Sequence, residues 1–125
     1  MSKNYKAEKI FNLESGTRPE NRKYAFAPGA GTATITSMWT LSVFRFQTRD
    51  DYKLRTTLVA TPTEGNSAVL EVFSSKDMKW NELMRLSGAA VPLKIMQTSD
   101  GSIHVDNKVV VEEELMRIAY LTLYT

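Results

Sequence analysis

The stretch TITSMWTLSVFRFQ (residues 34–47), with the polar link TRDDY (48–52) and the return KLRTTLVAT (53–61), decides the fold, because its residues demand one conformation over the longest distance. Ile35, Trp39, Leu41 and Val43 share one side of a period-2 pattern, and Thr34, Thr36, Thr40 and Ser42 share the other. That is the signature of a half-buried strand. Leu54, Leu58 and Ala60 alternate in the same way with Lys53, Arg55, Thr57 and Thr61, so the two arms are expected to close as an antiparallel hairpin.

With TRDDY as the turn, Phe46 falls opposite Lys53, Phe44 opposite Arg55, Ser42 opposite Thr57 and Leu41 opposite Leu58. Two rings and two cations then share the face that a sheet normally turns to water. Arg45, Arg49 and Tyr52 lie beside them in sequence. Trp39 falls in the core by parity.

The net charge of +2 conceals an asymmetry. Residues 1–55 hold ten Lys or Arg against five Asp or Glu, and residues 56–125 hold six against nine, so the two portions carry +5 and −3. A basic portion that also contains exposed rings suits a polyanion, since phosphates attract cations over about 8–10 Å at moderate salt.

A chain of 125 residues is expected to form one domain with a single core. With no cysteine there is no disulfide, thiol nucleophile or Cys-ligated zinc, and His104 is the lone histidine. No run reaches the length of a membrane span and the polar start MSKNYKAEK is no signal peptide, so an intracellular, cytoplasmic, soluble protein is expected. Glu112, Glu113 and Glu114 are adjacent and would diverge, Asp50 and Asp51 read as turn residues, and no triad or metal-ligand spacing occurs. The chain therefore reads as a non-enzyme without cofactor or metal.

Residues 1–31 read as an N-terminal arm with an apolar anchor at Ile10, Phe11 and Leu13 and a short strand at 23–27. PGAGT (28–32) lacks the lysine and the helix of a phosphate loop and is assigned as an entry turn. After the central hairpin, SAVLEVF (67–73) reads as a third strand, with Phe73 adding a ring to the outer side. Residues 74–88 change period: Ser75 suits an N-cap, Gly88 a C-terminal glycine, and Trp80, Leu83, Met84 and Ser87 a buried helical stripe. A fourth strand in AAVPLKIMQT (89–98), a turn at SDGS and a short return through His104 follow. The tail is ambiguous, since Val111, Leu115, Ile118 and Ala119 fit a helix whereas IAYLTLY alternates; the expectation is an acidic turn and then a final strand over 116–124.

In MWTLSVFRF as first strand, SAVLEVF before a helix and VPLKIMQTSDGSIHV as late hairpin, the chain resembles the OB-fold single-stranded DNA-binding proteins over residues 32–124. The resemblance implies a five-stranded antiparallel barrel with one short helix, and a strand-binding face on the first three strands. A β-sandwich is the alternative fold. The site residues on this reading are Phe44, Phe46, Lys53, Arg55, Arg45, Arg49, Tyr52 and Phe73, holding single-stranded DNA or RNA without strong sequence preference. The alternative function is an assembly or interaction protein, such as a viral structural subunit or an inhibitor, using the rings as an interface between copies or with another chain.

Overall fold

The computed structural model describes residues 21–44, 46–63, 65–100 and 102–124. Among these residues seven strands and one α-helix follow in order, β1 (Lys23–Ala27), β2 (Thr32–Phe44), β3 (Arg49–Ala60), β4 (Ser67–Ser74), β5 (Lys79–Ser87), β6 (Lys94–Gln97), β7 (Ile103–Asp106) and α1 (Lys108–Tyr124), with a short 3-10 turn at Gly88–Ala90 before β6. The first five form one antiparallel meander in chain order, and β6 and β7 form a separate hairpin. The sheet is open, with β1 and β5 at its edges, so the strands do not close into the expected barrel. The coarser expectation, mainly β with one α-helix, holds for the described residues.

The period-2 reading of β2 places its inward residues correctly. Ile35, Trp39, Leu41 and Val43 are buried, and Leu54, Leu58, Ala60, Ala68 and Leu70 meet them from β3 and β4. At roughly 1.5–3 kcal/mol for each large apolar side chain removed from water, this face is the main source of stability. The strand at 23–27 also forms, paired to β2 from Lys23↔Thr36 to Ala27↔Thr32. PGAGT is the turn between them: the Gly31 and Ala30 amides donate to the Ala27 carbonyl at 2.8 and 3.2 Å. Gly31 has φ +67°, a conformation that favours glycine, and a Cβ there would sit in tight contact with Pro62 Cγ at 3.3 Å.

Three expectations are corrected. Residues 79–87 are a strand, not part of a helix. Leu70 pairs with Met84 and Glu71 with Glu82, leaving Leu83 as the extra residue of a β-bulge. The extra residue breaks the alternation, so Trp80, Leu83 and Met84 acquire a helix-like spacing in a strand. Ser75 lies in the four-residue hairpin connection, where Met78 adopts φ 57°, instead of capping a helix.

The tail is the helix. Val111, Leu115, Met116, Ala119 and Tyr120 are buried together, and the neighbours Ala119 and Tyr120 could not both face inward on a strand. Helix α1 packs on the apolar side of β2, β3 and β4. The one α-helix among the described residues therefore follows the last strand instead of lying between strands.

The β2–β3 register differs from expectation by six residues. Phe44 pairs with Arg49, Thr40 with Lys53, Met38 with Arg55 and Thr36 with Thr57. Residues 49–52 are strand because the polar end of the hairpin satisfies itself: Ser42 Oγ donates to Asp51 Oδ1 at 2.7 Å, and Arg49 donates to Asp51 Oδ2 at 3.1 Å.

The segment before β6 is clamped to the sheet by Asn66. Its Nδ2 donates to the carbonyls of Val91 and Leu93 at 2.8 Å each, and its Oδ1 accepts from the Thr61 amide at 3.0 Å. The expected hairpin of β6 and β7 forms, with the Thr98 amide donating to the Ser102 carbonyl at 2.8 Å; Gly101 of SDGS lies outside the described residues. Thr98 and Ser102 hold the Asp100 carboxyl down to about 2.

Candidate nucleic-acid interface

Because the register error is an even number of residues, the side of each residue is unchanged and only its position along the sheet moves. The face away from α1 carries Thr36, Met38, Thr40, Ser42 and Phe44 from β2, and their partners Thr57, Arg55, Lys53, Asp51 and Arg49 from β3. Val69, Glu71 and Phe73 continue it on β4, and Trp80, Glu82 and Arg85 on β5. Lys23, opposite Thr36, extends it to β1. The cations Lys23, Arg49, Lys53, Arg55 and Arg85 outnumber the carboxylates Asp51, Glu71 and Glu82 by two.

Two clusters of rings and cations stand on this face. In the first, the Arg49 guanidinium lies 6.0 Å from the centroid of the exposed Phe44 ring. In the second, the Arg55 guanidinium reaches across β4 to stack over Trp80 at 4.4 Å, while Arg55 Nε donates to Glu71 Oε1 at 2.8 Å. Phe73 meets Trp80 edge-on, with centroids 5.3 Å apart and planes at 61°. Phe44 and Arg55 are six rungs apart on the ladder, which is about 20 Å at ~3.3 Å per residue. Lys53 lies between them, with no carboxylate partner among the described residues.

Both carboxylates nearest the rings are already engaged. Ser42 and then Arg49 hold the Asp51 carboxyl below its ordinary value, so Asp51 stays ionised and tied to those two partners. Glu71 is spent on Arg55. Arg49 and Arg55 are thus each held between a ring and a carboxylate, which fixes their place on the face.

Of the expected site residues, Phe44, Arg49, Lys53, Arg55 and Phe73 share this face. Phe46 does not: it stands almost fully exposed, at 94%, in the connection beyond β2. Tyr52 has the other parity, opposite Leu41, and packs against the core. Arg45 lies outside the described residues. Trp80 was missed because the bulge in β5 made it read as part of a buried helical stripe; its register partner Phe73, expected on the outer face, was the available clue.

The opposite face holds a different polar group. Glu112 of α1 is fully buried against the sheet, where it accepts from Arg22 through Oε1 and from Ser37 Oγ at 3.2 Å through Oε2. Arg22 Nε also donates to Ser37 Oγ at 3.3 Å. Burial pushes the Glu112 carboxyl up, against the pull of Arg22 and Ser37. Nearby, Trp39 Nε1 donates to Thr56 Oγ1 at 2.8 Å, so this tryptophan is sealed in the core.

Comparison with known proteins finds no matching family model, no matching curated protein and no matching solved structure. Among the described residues no helix is long and apolar enough to cross a membrane, and no three His, Cys, Asp or Glu side chains group as metal ligands.

Proposed function

We propose that the open face of the five-stranded sheet binds single-stranded nucleic acid, DNA or RNA, without strong sequence preference. The observation that carries the reading is the second cluster: Arg55 stacked on Trp80, with Phe73 at the edge and Lys53 two residues away on β3. Every base has a π-face, and each one stacked on a protein ring gains about 1–3 kcal/mol whatever its identity. Lys53 and the arginines supply the phosphate contacts. The resemblance to OB-fold strand-binding proteins contributes only its binding mode, rings and cations on a floor of strands, and that mode needs an accessible sheet face more than a closed barrel.

A labelled oligonucleotide titrated at two salt concentrations tests this. Affinity is expected to fall with salt, and Lys53→Ala is expected to flatten the log–log slope by about 0.7, the share of one single-strand phosphate. Binding indifferent to salt and to Lys53 would count against it.

The second reading, an assembly or interaction protein, rests on β1. This edge strand is exposed throughout and carries Tyr24 at 60% and Phe26 at 39% exposure. A large oligomer in light scattering, with no response to oligonucleotide, would favour it.

A further inference from the structure

The sheet is continuous at one end and split at the other. The β3–β4 ladder stops at Leu54↔Val72. The β2–β3 ladder runs on to Phe44↔Arg49, and the β4–β5 ladder to Ser74↔Lys79. Residues 49–53 of β3 and residues 73–74 of β4 are therefore held by their outer neighbours while parting from each other. The strands fork.

The fork is a cleft of about 480 Å³, within the range of small-ligand sites. Tyr52 and Lys53 line one arm, and Phe73, Ser74 and Lys76 line the other. Tyr52 belongs to the core side of the sheet and Lys53 to the open side, so the cleft reaches between the two faces. Its polar content is selective. Lys53 and Lys76 are both cationic, and the one carboxylate on the wall, Asp51, is already tied to Ser42 and Arg49. A larger cleft of about 590 Å³ at the other end of β3 is balanced by comparison, since Lys94 faces Asp106 across one rung.

We propose that the fork is a nucleotide pocket, in which one base of the bound strand enters between Tyr52 and Phe73 while its phosphate is held by Lys53 and Lys76. The inference rests on the strand-binding reading of the adjoining sheet face, and adds to it one fixed subsite. Phe73 joins the two, because its ring lines the cleft and also meets Trp80 on the open face. A strand lying along the sheet would then be anchored at the fork and held loosely elsewhere.

The test uses the full chain, isotopically labelled, with ribonucleoside 5′-monophosphates, the parent nucleosides and inorganic phosphate as probes. The monophosphates are expected to shift the amide resonances of Phe73, Ser74 and Lys76 saturably, and more strongly than nucleoside or phosphate alone. Lys76 lies in the exposed β4–β5 connection, so Lys76→Ala is expected to leave thermal melting unchanged. It should weaken monophosphate binding roughly two- to five-fold, the size of one exposed charge contact, and reduce the salt slope of oligonucleotide binding by about 0.7. If oligonucleotide binds but the fork amides stay still and Lys76→Ala changes nothing, the pocket is overturned and the sheet-face reading stands. If neither oligonucleotide nor monophosphate binds, both are overturned.

Discussion

The two faces of the five-stranded sheet are made by the same strands, yet they handle polar groups in opposite ways. On the face under α1, Trp39 is tied to Thr56, and Glu112 to Ser37 and Arg22. On the open face Arg49 and Arg55 lie over rings at the surface, and Lys53 has no carboxylate partner among the described residues. The side under α1 specifies the fold, and the open side leaves charge and ring surface accessible, with Phe44 and Lys53 both exposed.

The contrast is broken most forcefully from the core side. Leu54 is fully buried on β3, next in sequence to the surface residues Lys53 and Arg55. Leu54→Ala is expected to cost about 2–5 kcal/mol through lost transfer energy and a cavity, read as a large fall in melting temperature. Oligonucleotide affinity of the remaining folded fraction should barely change. Equal damage to stability and affinity would show that the two faces are not separable.

A smaller effect sharpens the comparison at Glu112. Arg22→Ala leaves a buried carboxylate without its cation and is expected to cost roughly 2–3 kcal/mol, below the full cost of breaking a buried pair because Arg22 is partly exposed. The pH dependence has a definite sign. Burial raises the folded-state value of Glu112, so the folded chain binds this proton more tightly than the unfolded chain does. Stability should therefore decline as pH rises from the ordinary carboxylate value through the raised one, and stay level above it. Melting curves across that window should show the decline in the wild type and its loss in Glu112→Gln; an unchanged profile in the variant would assign the decline to other groups.

Much of this was legible in the sequence where one periodicity ruled. The alternation of β2 and β3 fixed which residues are buried, and it put Phe44, Lys53 and Arg55 on one side even though the register was wrong, because an even slip preserves the side. Register itself was not legible. The residues RDDY look like a turn until Asp51 is seen to take its bonds from Ser42 across the ladder and from Arg49 beside it. The bulge at Leu83 hid β5, and Trp80 with it, behind a false helical spacing. In the tail, two adjacent buried residues, Ala119 and Tyr120, decide for a helix, and only the core they enter reveals that they are buried. Ser37, Thr56 and Arg22 gave no signal of their own, since their roles depend on partners 15 to 90 residues away.

The most direct measurement follows from the unequal placement of the two tryptophans. Trp39 is buried at 1% exposure and bonded to Thr56, whereas Trp80 lies on the open face under Arg55. Tryptophan emission is followed while a single-stranded oligonucleotide is added to the wild type and to Trp80→Phe, which keeps a ring for stacking. The expected result is a saturable quench that weakens with salt in the wild type and is absent in the variant. No change in the wild type, or the same change in both proteins, would contradict binding across this face.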